Sequence, residues 1–471
     1  MRRVTLALTD ASRWSWEMRV SLAGVGSVVG LVAAWLYLNL PVLMLPVLIV
    51  GSLLLVLALR YPITGVLAVV AAQYVPLGVG GITIFQIVGG SVAVLCLVYF
   101  GLTRHGLVFS WIVLPLMAFI FLTLHSLSYT HDVAMTHYVL RKLILNVLFC
   151  LLLINVVDDF KKVRGVVWAV AGMALVNAVA GMIQFAIGIT VGSRAKGFQE
   201  NENQLGEISA LGLIVAIYVF LYGDRWWKQL LGLMMCAGLS MGLVSSISRG
   251  AVLALLAGVA WIAFRESQHR SRVIIIALLG LLAFPFLPES FLDRFKNINT
   301  DVQGTVILHQ RVGLTTRGYF NKAGIKIWKA NPILGVGLGN YGYYYVQPEF
   351  NPGLLGGKKV PPHNIYVQAL AETGTVGFLV LFWWIVQAGY NFWRAERRFL
   401  GDRAGRATSR ASEALTVVVL VDYFSGGNLV NSTLAMVLTL SYLCRRAAQQ
   451  EEHLPASREV IGEPALGGTY G

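Results

Sequence analysis

One histidine and three arginines are the residues of this chain best suited to chemistry on a charged substrate. His363 follows Pro361-Pro362 and precedes Asn364 and an apolar run, so two rigid prolines hold it at the edge of a hydrophobic segment. A lone histidine often serves structure alone, but an unperturbed pKa of about 6.5 also suits a general base. Arg194 lies in Ser193-Arg194-Ala195-Lys196-Gly197-Phe198, with Glu200, Asn201, Glu202 and Asn203 just behind it. Arg249 sits in Ser248-Arg249-Gly250 between two apolar runs, and Arg317 opens a basic stretch. An arginine beside apolar runs is costly unless it snorkels to the interface, faces a polar cavity or meets a partner. Guanidinium forks match phosphate oxygens two at a time. Arginines without a carboxylate cluster therefore suit a lipid phosphate or pyrophosphate.

The stretch 317–377 carries most of the remaining signals. Phe320, Ala323/Gly324, Ile327 and Trp328 recur at helical spacing, while Lys322, Lys326 and Lys329 fall off that stripe. Two placements fit: a helix in the membrane interface with its lysines toward anionic head groups, or a helix docked on protein. Gly337-Leu338-Gly339-Asn340-Tyr341-Gly342 matches G-x-G-x-x-G, yet Asn331-Pro332 precedes it and tyrosines follow. With no strand before it or acidic partner after it, a dinucleotide site is rejected. The glycines predict a turn that brings backbone close to a ligand or the membrane surface. No Asp-x-Asp, His-Glu-x-x-His or Cys/His cluster is present, and His131 and His137 are poorly spaced for one helix face. A metal site is not supported. Asp158-Asp159 reads as a solvated loop, and Asp422, inside an apolar run, as a structural hydrogen-bonding group near the surface.

The elements that position these residues must be membrane helices. Of 471 residues, 56% are hydrophobic and 13% charged, and mean hydropathy is +0.68. Apolar runs fall near 20–38, 42–59, 62–79, 82–101, 107–125, 138–157, 165–188, 205–222, 229–247, 250–264 and 273–288, then 374–393, 413–427 and 429–444. Runs of this length cross a bilayer, and only helices satisfy their backbone there. The reading is an all-α polytopic bundle of twelve to fourteen spans, the lower number allowing for runs broken at Pro41, Pro62 and Pro76. The net charge of +14 sits mainly in short loops, as a positive-inside bias requires, and does not indicate nucleic acid. That bias puts both termini and Arg394–Arg410 in the cytoplasm. Residues 126–137, 189–204 and 289–363 then lie on the opposite face. The domains read as N-terminal spans over 1–288, a loop subdomain over 289–363, C-terminal spans over 364–446 and a disordered tail over 447–471. The loop carries nine Lys or Arg against four acidic residues, which fits solubility or an anionic ligand. The N-terminus is too polar for a cleaved signal peptide, so the first span doubles as the targeting signal. Cys96, Cys150, Cys236 and Cys444 all lie in or at the ends of apolar runs, so no structural disulfide is expected.

Four pieces in order resemble the O-antigen ligase and O-antigen polymerase superfamily. They are Arg194…Gly197-Phe198…Asn201-x-Asn203-x-Leu205, Ser248-Arg249-Gly250-Ala251, Asn331-Pro332-x-x-Gly335-x-Gly337-x-Gly339, and His363-Asn364-x-Tyr366…Glu372-x-Gly374-x-x-Gly377. The resemblance covers roughly residues 190–380, and a large late loop also fits. It implies a glycosyltransferase of the bacterial inner membrane, working on the periplasmic side without metal or nucleotide cofactor. The implied donor is a glycan on undecaprenyl pyrophosphate, and in the ligase branch the implied acceptor is a sugar hydroxyl of lipid A–core oligosaccharide. Carried to matching positions, the essential residues are Arg194, Arg249 and His363. Lys196, Asn201, Asn203, Asn364, Tyr366 and Lys322 join them as expected substrate-binding residues, and Arg317 is added from its charge and placement. Family members often read Asn-Pro-Asn where this chain has Asn201-Glu202-Asn203, which puts the role of these asparagines in question.

The ligase is favoured over relatives because this chain ends soon after its last span, whereas protein O-oligosaccharyltransferases tend to carry a larger C-terminal domain. The alternatives are an O-antigen polymerase extending the lipid-linked glycan and, in another class, a transporter or lipid flippase. A transporter would usually show repeats and broken midplane helices; neither is evident, and the charges gather at one face.

Overall fold

A computed structural model describes residues 57–58, 60–76, 78–79, 82–103, 106–190, 194–283, 291–292, 316–351, 359–398 and 403–452. The runs predicted at 20–38 and over most of 42–59 lie outside these residues. In order come α1 (Pro62–Ala72), a hairpin of β1 (Gly78–Val79) and β2 (Ile82–Thr83), α2 (Ile84–Thr103), α3 (Leu114–Ser126), α4 (Val133–Val156), α5 (Phe160–Ala186), α6 (Glu202–Tyr222), α7 (Trp226–Ser246) and α8 (Arg249–Arg265). Then follow α9 (Arg270–Ala283), α10 (Thr316–Ala330), α11 (Tyr341–Tyr345), α12 (Ile365–Glu396), α13 (Arg403–Asp422) and α14 (Ser432–Glu452). The two-residue strands pair antiparallel, Gly78 with Thr83 and Val79 with Ile82; the rest is helical, an all-α polytopic bundle.

Among the described residues, six helices (α2, α4, α5, α6, α7 and α12) are long and apolar enough to cross a membrane. A seventh span is added if α8 and the helical segment after it, which bend by 104° against each other, count as one. α13 reads as less apolar than its buried half because it begins at Arg403, Arg406 and Arg410. α14 continues through 447–452 with Ala447 and Ala448 buried, so the part of the tail up to Glu452 is helix.

α6 is the hub. It packs against α5, α7, α8 and α13, and nearly every residue from Leu205 to Tyr218 is buried. A helix apolar on every face has to be enclosed this way. Small residues let the backbones close in: Gly212 faces Ala174 and Leu239, and Gly242 of α7 meets Ala178 and Ser209. At the end away from His363, Arg410 bonds Glu266 and Glu396, each at 2.7 Å. Arg265 reaches Glu413 at 3.1 Å. Those pairs tie α8, α12 and α13 together.

The glycine-dense turn fastens one helix to another segment of the chain. α12 is broken at Gly374, whose φ of 65° is open to glycine but strained for other residues. The turn after α10 threads this break. Thr375 N donates to Pro332 O at 2.8 Å, Val376 N to Ile333 O at 3.2 Å, and Gly337 N to Glu372 O at 2.8 Å. A Cβ on Gly335 would lie 2.5 Å from the Glu372 carbonyl carbon. The expectation that these glycines admit a ligand or the membrane surface is corrected: the backbone they admit is that of α12. The Glu372 carboxylate, buried, accepts from Tyr341 N at 3.0 Å and from Gln368 Nε2 at 2.9 Å. Asn340 anchors the far side of the turn, its Oδ1 accepting from Thr130 Oγ1, His131 N and Asp132 N.

Candidate functional site

The chain re-enters the bundle at α6, α8 and α12 through a polar capping residue each time. Asn201 Oδ1 accepts from Gln204 N at 3.1 Å, Ser248 Oγ from Ala251 N at 3.4 Å, and Asn364 Oδ1 from Tyr366 N and Val367 N at 3.0 and 3.2 Å. Each cap satisfies helix-end N–H groups that would otherwise be orphaned. The three N-termini share one end of the bundle. Ser248 Oγ donates to Asn203 Oδ1 of α6 at 3.3 Å, and Ile365 N donates to Tyr423 O, just beyond α13, at 3.0 Å. Gly250 of α8 lies against Ser425 and Asp422. Positive helix-dipole ends thus collect at one face, the arrangement that favours an anion.

Two arginines occupy one half of that face. Arg194 is held by three groups: its Nε donates to Ser246 O at 2.9 Å, its Nη2 to Asn203 Oδ1 at 2.8 Å, and its Nη1 lies 3.3 Å from Glu202 Oε2. Ala195 N donates to Ser245 O at 2.9 Å, fixing the loop to the end of α7. The residue joining α7 to α8, Ile247, takes the left-handed conformation with φ 49°, which costs a β-branched side chain and marks a tight reversal. Arg249 follows as the first residue of α8, half-buried, beside the Ser248 cap that shares Asn203 with Arg194. Asn203 is thus the common acceptor organising this half, which gives the second asparagine of the motif a role the sequence left open. Asn201 is exposed and serves as the α6 cap.

His363 and Arg317 form the other half. His363 is a non-glycine residue at φ 53° immediately before the α12 cap. Its ring lies 5.6 Å from that of Phe320 on α10, tilted by 34°. Burial, and then the Arg317 charge, push its pKa below the ordinary histidine value. The imidazole is therefore neutral near pH 7, with a lone pair to accept a proton. The Arg317 charge also reaches Asp422, and Gly250 packs on the same residue. The turn from Asp422 to Ser425 joins the histidine half to the arginine half.

The remaining predicted residues fall at the rim. Tyr366 donates to Leu420 O at 2.8 Å, and its ring centroid lies 4.2 Å from that of Phe424 with the planes tilted by 32°. Lys196 and Lys322 are exposed. The apolar stripe of α10 is covered by protein: Gly324 meets Val367, and Phe320 and Ile327 are buried in a cluster with Tyr341, Tyr345 and Ala371. Docking on the bundle accounts for that stripe, and the lysines are left on the open side. Asp422 is buried at the end of α13. Sequence reasoning passed over Glu207, buried in α6, on which the Asp422 charge acts. The rule that singles out Asp422, an acid inside an apolar run, would have found Glu207 too.

Two similarities to known proteins bear on this face. Residues 234–382, which hold Arg249, Arg317 and His363, match the family model described as O-antigen ligase. The exopolysaccharide production protein ExoQ of Rhizobium meliloti is 27% identical over 213 residues, covering 41% of this chain and 45% of that relative. The matched region thus spans about half the length of that relative. The family match falls on the segment that builds the histidine half and the start of α8, and together with the ExoQ similarity it supports a relationship to the O-antigen ligase/polymerase superfamily.

Proposed function

We propose that the chain transfers a glycan from undecaprenyl pyrophosphate to a sugar hydroxyl of lipid A–core oligosaccharide at the periplasmic face of the inner membrane. The observation that carries this reading is the pairing of a neutral, half-buried histidine with arginines at converging helix N-termini. The acceptor oxygen attacks the anomeric carbon as the carbon–oxygen bond to the pyrophosphate breaks. His363 takes the hydroxyl proton, and the leaving pyrophosphate keeps the bonding pair. Arg194, Arg249 and Arg317 meet the charge that grows on its oxygens, the electrostatic share of the catalysis. A single displacement inverts the anomeric centre. This scheme assigns stabilisation of the leaving group to guanidinium groups and helix N-termini, without a metal. Asn201, Asn203, Asn364 and Tyr366 set the geometry, and Lys196 and Lys322 draw the anionic lipids toward the face.

A second reading is a polymerase that extends the glycan while it remains on the lipid carrier. Similarity to a protein named for exopolysaccharide production favours it. Purified protein incubated with lipid-linked glycan and rough lipopolysaccharide separates the two. A heavier, laddered lipopolysaccharide identifies the ligase, and longer glycan still on the carrier identifies the polymerase. Substrate crossing vesicles with no new glycosidic bond would sink both in favour of a transporter.

A further inference from the structure

Beside the histidine half stands a group of ring faces that the transfer scheme does not use. His131 and Tyr343 stack with centroids 4.9 Å apart and planes 18° from parallel. Tyr344 tilts against His131 at 5.7 Å and stands edge-on to Tyr343 at 5.5 Å. Phe350 backs Tyr344 at 5.6 Å. Lys359 Nζ lies 5.7 Å from the Tyr343 ring centroid and pairs with Asp132 Oδ2 at 2.7 Å. His131 is exposed, and Tyr343 and Tyr344 are half-exposed. These rings are not loose surface groups. The three hydrogen bonds that Asn340 accepts pin the loop of His131 against α11, which carries both tyrosines. The next residue of that helix, Tyr345, meets Phe320 at 5.4 Å, and Phe320 meets His363 at 5.6 Å.

We propose that His131, Tyr343 and Tyr344, with Lys359 and Asp132 at their edge, form a saccharide-binding subsite that holds a sugar chain leading to His363. A pyranose ring offers a face of C–H groups and a rim of hydroxyls. Fixed aromatic faces bury the first, and neighbouring donors and acceptors pair with the second. Tyrosine hydroxyls, the imidazole, a carboxylate and an ammonium group supply both kinds of partner within one cluster. A lipid-facing aromatic belt would bring rings with apolar neighbours; here a largely exposed ion pair, Lys359 with Asp132, borders the rings. This inference rests on the glycan-transfer reading, since it names where that substrate's sugars lie.

The test uses the full chain in detergent and two independent measurements. The first is direct binding of core oligosaccharide freed of lipid A, and of a delipidated repeat-unit oligosaccharide, followed by calorimetry. The second is transfer kinetics with the lipid-linked glycan. The double variant His131→Ala/Tyr343→Ala is expected to weaken binding of one of these oligosaccharides about tenfold, the size of one or two lost ring contacts. It should raise the matching KM by a similar factor and leave kcat near wild type. Tyr343→Phe, which keeps the ring and loses one hydroxyl, is expected to retain most of the binding, and the single variant Tyr343→Ala, which loses the ring, to weaken it clearly more; this pair decides the matter if the double variant folds poorly. Wild-type protein that binds oligosaccharide but transfers none would overturn the proposed reaction and leave the subsite standing. Equal binding by wild type and the double variant, or binding by neither, would overturn the subsite. So would a double variant whose only defect is weaker association with lipid vesicles.

Discussion

Replacing Asn203 with alanine removes the acceptor that Arg194 and Ser248 share. The lost bond to the guanidinium is 2.8 Å long and joins a side chain that is 11% exposed. A hydrogen bond to a charged group contributes roughly 1.5–3 kcal/mol. Arg194 would keep Ser246 O and Glu202, so the fold should survive while the guanidinium loses its set direction. If that direction serves the leaving pyrophosphate, about 2 kcal/mol of transition-state stabilisation disappears, equivalent to about a 30-fold fall in kcat/KM. Glycan transfer by purified Asn203→Ala, Arg194→Ala and the double variant measures this, with thermal unfolding to confirm that each is folded. The two losses should fail to add, because Asn203 acts through Arg194. Asn203→Asp, which keeps the acceptor, should recover most of the rate. A folded Asn203→Ala protein with kcat/KM within twofold of wild type refutes the reasoning, and fully additive losses would show that Asn203 does not act through Arg194.

Two further outcomes follow from the same geometry. Gly374→Ala places a Cβ at φ 65° against the Ile333 carbonyl, so the clasp between the glycine turn and α12 should open. Left-handed strain alone costs about 1–2 kcal/mol, and the clash adds to it; Gly389→Ala, on the same helix with open space around it, should be neutral or slightly stabilising in the same thermal unfolding assay. His363, held below the ordinary histidine pKa by burial and Arg317, should give a pH–rate profile whose acid limb lies below the ordinary histidine range. The unfolded chain binds that proton more readily, so stability also declines as pH falls through this range and is complete above it. In Arg317→Ala the acid limb should move upward; an unmoved limb would remove Arg317 from the environment of His363.

Much of this face can be traced to local sequence. Asn201, Ser248 and Asn364 each stand just before an apolar run, and all three cap the helix that follows. Phe320, Ala323 and Ile327 recur at helical spacing and are buried together. What local pattern cannot carry is the identity of a distant partner. That the glycines at 335 and 374 meet each other, or that Asn340 receives the loop before α4, depends on contacts between separate segments. The glycine turn is ambiguous for that reason, since the same conformational freedom serves a ligand or a neighbouring backbone equally well. Asn203 shows the limit in the other direction: its motif was visible, but its use as the acceptor for Arg194 depends on the α7–α8 reversal at Ile247 bringing Ser246 and Ser248 alongside.

The central claim is that His363 and the arginines around it perform glycan transfer from a lipid pyrophosphate. It is tested most directly by product formation from purified lipid-linked glycan and rough lipopolysaccharide, comparing wild type with His363→Ala of matched thermal stability. The account predicts new glycosidic product of inverted anomeric configuration from wild type and a loss of at least about 100-fold in His363→Ala, the usual contribution of a positioned general base. Full transfer by a folded His363→Ala protein, or a product that retains the donor configuration, would contradict it.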